Sequence, residues 1–245
     1  MVTSLRVILP MAGEGQRFKD AGYTFPKPLI TIRNQPMIAW VVKNLNLPQY
    51  DHHFIAQKAH AEQYPIAEMC ARLVPQAIVT TVAKTTQGAA CTVLQGLQEA
   101  PCDLTAPLLI ANCDQILSWQ VDEFLTRAET MHLDGLIPVF ESVHPKWSYV
   151  QITPKLDVTE VMEKFPLSCW ATCGVYYFRT AQSFIEGTRQ MIAQEKLVKG
   201  EFYVAPVYNE LIAQGARVQA YPVKDMWGLG TPEDLEEFKL HVCRG

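Results

Sequence analysis

Two cationic residues follow a glycine-rich stretch near the start of the chain. In VILPMAGEGQRFKDAGYTFPKPLI, an apolar run leads to Gly13 and Gly15, then to Arg17, and finally to Lys27 between two prolines. Glycines after a strand let backbone N–H groups approach phosphate oxygens, and arginine and lysine add positive charge. The stretch therefore predicts a phosphate site, and the alternative is a steric role for the glycines with both cations solvated.

Two familiar phosphate-binding loops do not fit this stretch. The dinucleotide fingerprint Gly-x-Gly-x-x-Gly matches Gly13 and Gly15 but requires glycine where Phe18 stands. The P-loop requires Gly-Lys-Ser/Thr four residues after its first glycine, and that tripeptide is absent. A loop that carries its own cations is the reading that remains.

Later segments supply polar residues next to predicted strands or helices. In LLIANCDQIL, Asp114 follows an apolar strand, which is where open α/β sheets place functional carboxylates, and Asn112 lies beside it. In TTQGAACTVLQGL, Gln87 offers donors and acceptors, and Gly88 permits close approach to the backbone. A turn residue and an ordinary helix start are the alternatives for these two segments.

Strand and helix patterns alternate in the first half of the chain. Apolar runs such as LRVILP and PLLIA alternate with helical spacings such as PMIAWVVKNLN, which predicts an α/β fold with a mainly parallel sheet flanked by helices. After about residue 133, GLIPVF, SYVQIT, DVTEVM and CGVYYF follow one another closely, which predicts an antiparallel extension of the sheet. The chain is interpreted as one domain, 1–245, with lobes of about 1–133 and about 134–245.

Composition limits the kinds of partner. The 245 residues carry a net charge of −4, so bulk electrostatics give no indication of a nucleic-acid partner. Seven cysteines without a Cys-x-x-Cys pair suit reduced thiols, and no apolar run reaches the roughly 20 residues of a membrane helix. No signal peptide is recognisable. We expect a cytoplasmic protein without a membrane partner, and homo-oligomerisation stays open.

The segments MAGEGQRF and FPKPLI resemble the signature of the nucleotidylyltransferases, or NTP-transferases, a family that makes nucleotide sugars. The shared positions are Gly13, Gly15, Arg17, Pro26, Lys27 and Leu29. Ala12 and Gln16 depart from the most frequent residues of the family. The resemblance runs from residue 7 to about residue 235 and implies a GT-A-like (Rossmann-like) fold.

The resemblance also implies a role for each matching residue. It assigns catalysis to Arg17 and Lys27, and Mg²⁺ binding to Asp114. It implies nucleotide binding by Met11, Ala12, Gly13, Gly15, Gln87 and Gly88, and acceptor binding by Glu163, Lys164 and Gly174. Gly228 stands where many members carry a second metal-binding acid, so Asp225 is the candidate replacement if the strand bends.

The implied reaction is transfer of NMP from an NTP to a phosphorylated acceptor, with release of pyrophosphate. A phosphate monoester is largely dianionic near neutrality, so the reaction requires cations rather than a general base. A sugar 1-phosphate is the first choice of acceptor, in a pathway to cell-surface polysaccharide or a related product. The alternatives are a cytidylyltransferase acting on a small non-sugar phosphoester, a GT-A glycosyltransferase, and a catalytically silent NTP-binding protein.

Overall fold

The structure, a computed structural model, describes residues 4–244, with side chains as far as His241. The first half alternates strands and helices as the apolar periodicity predicts. Its elements are β1 (Arg6–Met11), α1 (Gln16–Asp20), a 3₁₀ helix (Lys27–Leu29), β2 (Thr31–Ile32), β3 (Gln35–Pro36), α2 (Met37–Leu45), β4 (Asp51–Gln57), α3 (Lys58–Gln63), α4 (Ile66–Leu73), β5 (Ile78–Val82), α5 (Ala89–Glu99), β6 (Leu108–Ala111), β7 (Gln115–Leu117) and α6 (Val121–Thr130).

The second half begins with five strands before the next helix. Its elements are β8 (Gly135–Glu141), β9 (Ser148–Ile152), β10 (Val158–Glu163), β11 (Trp170–Thr172), β12 (Val175–Phe178), α7 (Ala181–Ala193), α8 (Val207–Ala213), β13 (Val218–Pro222), β14 (Met226–Gly228) and α9 (Pro232–Arg244). None of the described helices is both long and apolar enough to cross a membrane.

One ten-stranded sheet runs through both halves in the order β10-β9-β11-β8-β12-β6-β1-β4-β5, with β13 paired to β8. The pairs β6–β1, β1–β4 and β4–β5 are parallel, whereas β12, β11, β9 and β10 join the sheet by antiparallel pairing. The predicted fold class, a mainly parallel α/β sheet with an antiparallel extension, is thereby confirmed.

Helices cover both faces of the parallel half, which explains the continuous apolar runs in its strands. Along β1, Val7 and Leu9 contact the apolar cluster on one face, and Ile8 contacts the cluster on the other. All three side chains are fully buried. Burial of this kind fixes the end of β1, and therefore the position at which the following loop begins.

A two-stranded sheet brings the C-terminal part of the chain back to the carboxyl end of β6. Strand β14 pairs antiparallel with β7, placing Gly228 opposite Gln115. Helix α9 follows, and the backbone N–H of Asp234 donates to Thr231 Oγ1 at 3.2 Å, as its capping pattern predicts. Residues from both ends of the chain thus meet at one edge of the sheet.

Candidate active site

The carboxyl ends of β1 and β6 and the 3₁₀ helix surround a cavity of about 420 Å³. Arg17, Lys27 and Asp114 all line it, although 87 residues separate Lys27 from Asp114. Lys27 Nζ donates to Asp114 Oδ2 at 2.7 Å. The structure therefore gathers the three residues predicted to act on the NTP.

The Lys27–Asp114 pair is only partly open to solvent. The side chains are 21% and 17% exposed, respectively. Burial by itself lowers the pKa of Lys27, but the adjacent Asp114 carboxylate outweighs it, so the pKa lies above its usual value. Lys27 is therefore a permanent cation at neutral pH.

Backbone hydrogen bonds fix the turn that carries Asp114. Asn112 N–H donates to the Gly174 carbonyl at 2.8 Å, and Leu229 N–H donates to the Asp114 carbonyl at 2.7 Å. The first bond ties the turn to the antiparallel half, and the second ties it to the C-terminal segment. The backbone at Asp114 is therefore fixed by two separate segments of the chain.

A second cavity of about 280 Å³ adjoins the first and is lined by the glycine-rich loop. Lys27 and Asp114 line both cavities. The predicted nucleotide-binding residues that line the second are Met11, Ala12, Gly13 and Gly88, whereas Gly15 lines the first. The loop thus borders a space that leads directly to the lysine–aspartate pair.

Polar side chains from neighbouring elements hold the loop in place. Gln57 Nε2 donates to the Ala12 carbonyl at 2.7 Å, and the Glu14 carboxylate accepts from Lys19 and Thr85. Those hydrogen bonds, that of Lys19 first, lower the pKa of Glu14 to about 2. Glu14 stays charged at neutral pH, and its hydrogen bonds tie the loop to Lys19 and Thr85.

Gln87 and Gly88 contact the backbone of Phe202. The Gln87 carbonyl accepts from Phe202 N–H at 2.8 Å, and Gln87 lines neither cavity. Gly88 has φ of 111°, and a Cβ there would lie 2.5 Å from the Phe202 carbonyl oxygen. The close approach of the Phe202 backbone explains why residue 88 is a glycine. The resemblance had assigned Gly88 to nucleotide binding instead.

Glu163 and Lys164 line the first and larger of these two cavities, the large cavity of about 420 Å³. Burial raises the pKa of Glu163 to about 7, although a hydrogen bond from Ser148 Oγ opposes the shift. Lys164 Nζ donates to Tyr203 Oη and lies 4.2 Å from the centre of that ring. Burial also lowers the pKa of Lys164.

Gly174, to which the resemblance assigns acceptor binding, lines neither cavity. Its φ is 68°, and a Cβ would lie 1.3 Å from Gln115 Oε1. The space beside Gly174 is therefore filled by the Gln115 side chain, which itself lines the large cavity.

The structure does not bring Asp225 to either cavity. Its carbonyl accepts from Ser118 N–H at 2.9 Å. Instead Asp234, at the start of α9, lines the large cavity and accepts from Lys146 Nζ at 2.6 Å. Across residues 4–241, no group of three or more His, Cys, Asp or Glu side chains is arranged to hold a metal ion.

Sequence reasoning missed several residues that line the large cavity: Lys146, Ser148, Glu201 and Asp234. In TPEDL, Asp234 stands three residues after Thr231, a spacing typical of a helix start, and the stretch HPKWSYV contains no motif that distinguishes Lys146. The only local signal for Lys146 is its position in a polar stretch next to the predicted strand SYVQIT.

The fold has close structural relatives. The chain aligns with the nucleoside-diphosphate-sugar pyrophosphorylase of Vibrio cholerae at a TM-score of 0.83 and 24% identity, covering 96% of this chain and 99% of the other. It aligns with a UDP-glucose pyrophosphorylase complexed with UDP-glucose at a TM-score of 0.78 and 16% identity, covering 99% of both chains. It aligns with the UDP-glucose pyrophosphorylase of Acinetobacter baumanii at a TM-score of 0.75 and 15% identity, covering 98% of this chain and 93% of the other.

A search of curated protein sequences finds no match. The family model described as "Nucleotidyl transferase" matches residues 6–245, nearly the whole chain. That match includes the glycine-rich loop, the Lys27–Asp114 pair and the segment that carries Glu163 and Lys164. The chain belongs to the nucleotidyl transferase family.

Proposed function

We propose that this protein transfers NMP from an NTP to a phosphorylated acceptor, a sugar 1-phosphate, and releases pyrophosphate. The observation that carries the proposal is the convergence of Arg17, Lys27 and Asp114 on one cavity, with Lys27 Nζ 2.7 Å from Asp114 Oδ2. The structural relatives, which are pyrophosphorylases of nucleotide sugars, support the same class of reaction.

In this reaction an acceptor phosphate oxygen attacks the α-phosphorus of the NTP. The bond from the α-phosphorus to the bridging oxygen breaks, and that oxygen leaves with the pyrophosphate. Lys27 and Arg17 stabilise the negative charge that grows on the leaving group, and backbone N–H groups near Gly13 and Gly15 orient the triphosphate. The acceptor phosphate is already a dianion, so no side chain need remove a proton.

The residues present fit a Mg²⁺ ion at Asp114. Lys27 donates to Oδ2 of this carboxylate, and Asp114 lines both cavities. Mg²⁺ is usually held by one or two carboxylates together with substrate phosphates and water. When bound, the ion would neutralise phosphate charge and orient the α-phosphate. Asp225 has no part in this proposal, because it lines neither cavity.

The acceptor side favours a hydroxyl-rich molecule over a quaternary amine. Ser148 and Glu163 offer hydrogen-bonding groups in the cavity, which suits sugar hydroxyls. The faces of Trp147 and Tyr203 already carry lysine ammonium groups, Lys146 and Lys164, at 4.6 and 4.2 Å from the ring centres. A cationic acceptor would have to compete with both.

A matrix of substrates tests the proposal. Four ribonucleoside triphosphates and dTTP are each combined with phosphorylated sugars and small phosphoesters, and released pyrophosphate is measured. We expect release with at least one sugar 1-phosphate and none without an acceptor. Release only with a non-sugar phosphoester would show that the acceptor is not a sugar 1-phosphate, and nucleotide binding without any release would favour a silent NTP-binding protein.

We further propose a role in cell-surface polysaccharide synthesis, which identification of the nucleotide sugar would test.

A further inference from the structure

A second lysine–aspartate pair faces the large cavity. Lys146 Nζ donates to Asp234 Oδ1 at 2.6 Å, and the two side chains are 24% and 17% exposed. The ammonium also lies 4.6 Å from the centre of the Trp147 ring. The Lys146–Asp234 pair is therefore buried to about the same extent as the Lys27–Asp114 pair.

The two pairs lie close to one short segment, 228–230. A Cβ on Gly230 would lie 3.0 Å from Asp114 Oδ2, and a Cβ on Gly228 would lie 3.5 Å from Asp234 Oδ2. Both aspartates therefore border the segment that joins β14 to α9, and both line the large cavity.

Folding stability gives little reason for this second pair. Removing two charges from water offsets most of their mutual attraction, so a partly buried ion pair adds little net stability over apolar residues. Lys146 and Asp234 belong to separate parts of the chain and meet only at the cavity. A function in the cavity explains their presence better.

The proposed reaction requires cations for two phosphate groups at once. The attacking oxygen must come within about 3–3.5 Å of the α-phosphorus, and each dianion repels the other. Arg17 and Lys27 serve the nucleotide. Lys164, which the sequence predicts for the acceptor, has its Nζ hydrogen-bonded to Tyr203. Lys146 is a further cation in the same cavity, and its partner Asp234 lies beside the same short segment, 228–230, as Asp114.

We propose that Lys146 binds the phosphate group of the acceptor, and that Asp234 is a positioning residue that holds the Lys146 ammonium at the cavity wall. This inference rests on the proposed function and adds a specific residue to it. It also assigns Asp234 to a lysine rather than to a metal ion.

Binding of methyl phosphate, a phosphate monoester without a sugar, tests the role of Lys146. The protein is first saturated with pyrophosphate and Mg²⁺, which fill the proposed nucleotide phosphate site at Arg17 and Lys27. Methyl phosphate is then added stepwise, and its binding is followed by ³¹P NMR. We expect Lys146→Met to weaken binding about tenfold and Lys146→Arg to keep it within about threefold, since the charged hydrogen bond is restored. Lys239→Met, which removes an α9 lysine paired with Glu236, is the matched control and should bind normally.

Wild-type affinity in a folded Lys146→Met variant, with its thermal unfolding unchanged, would overturn the assignment. If the substrate matrix yields an active acceptor, its KM should rise about tenfold in Lys146→Met while the KM for the NTP stays the same. If the matrix yields none, the proposed reaction fails, and the methyl phosphate titration still decides whether Lys146 binds phosphate.

The role of Asp234 is tested by the Mg²⁺ dependence of the rate and of methyl phosphate binding. In Asp234→Asn, we expect the half-saturating Mg²⁺ concentration to stay within about twofold of wild type, whereas Asp114→Asn should raise it at least tenfold. An equal rise in both variants would make Asp234 a metal ligand and overturn its assignment to Lys146.

Discussion

The proposed nucleotide side and the proposed acceptor side of the cavity are built in different ways. Arg17 and Lys27 lie ten residues apart in sequence, on helix α1 and on the 3₁₀ helix, which both follow a buried parallel strand. The acceptor side combines Lys146, Glu163 and Asp234, which come from an antiparallel extension and from the last helix. Local sequence order therefore encodes the first side, whereas tertiary folding assembles the second.

This difference has a consequence for how each side changes. A loop that is fixed by a buried strand and by side chains such as Gln57 cannot alter its shape without disturbing the core. The acceptor side lies between strand ends and turns, where single substitutions alter the lining without altering the sheet. We expect the nucleotide side to tolerate fewer substitutions than the acceptor side.

The largest effect is expected for Lys27→Ala. The variant loses a cation that acts on the transferring and leaving oxygens, so turnover should fall by about 100-fold or more. Steady-state pyrophosphate release measures the change. Lys58→Ala, which removes an exposed lysine paired with Glu62, is the control and should keep wild-type turnover. Near-normal turnover in Lys27→Ala would refute its assignment as catalytic.

Gly88→Ala tests the junction between the two sides. The new methyl group would meet the Phe202 backbone at 2.5 Å, and φ of 111° is unfavourable for alanine, so the free energy of unfolding should fall by about 2–4 kcal/mol. Urea denaturation measures the loss. Gly22→Ala is the matched control, because Gly22 has a similar φ of 84° and no atom within 4 Å of its Cβ position. Equal losses would show that the contact with Phe202 is unimportant.

Glu163→Gln should change how stability depends on pH. The folded-state pKa of Glu163 is raised to about 7, above the unfolded value of about 4.3, so its contribution to stability is complete below pH 4.3 and is lost as pH rises towards 7. Glutamine does not ionise and keeps a carbonyl acceptor for Ser148. The variant should therefore gain in melting temperature over wild type between pH 5 and 8. A constant difference across that range would contradict the raised pKa.

The smallest effect is expected for Asp225→Asn. Its side chain lines neither cavity, and the hydrogen bond from Ser118 N–H goes to its main-chain carbonyl. Turnover and Mg²⁺ dependence should stay within about twofold of wild type, because the substitution keeps the size of the side chain. Asp114→Asn, measured alongside, is the positive control. A strong loss in Asp225→Asn would restore the metal-binding role that the sequence suggested.

The sequence predicted the fold class because apolar runs and helical spacings are local and strong. It also indicated both members of the Lys27–Asp114 pair: Asp114 because it follows an apolar strand of an open α/β sheet, and Lys27 because its motif resembles that of the family. Lys146 and Asp234 could not be found in this way, because their meeting depends on the pairing of β14 with β7. Gly174 and Gly88 were recognised as special, but only the structure shows that Gln115 and Phe202 are the neighbours that require glycine.

The bonds around Phe202 limit how the molecule can move. Its N–H donates to the Gln87 carbonyl at 2.8 Å, and its carbonyl accepts from Ala90 N–H at 3.0 Å, so the chain bearing Tyr203 is fastened to the start of α5. Hinge opening at this point would break both bonds and expose polar backbone. We therefore expect substrates to enter without a hinge at this point, and a crosslink placed between α5 and this segment should leave exchange of reactants with bulk water unhindered.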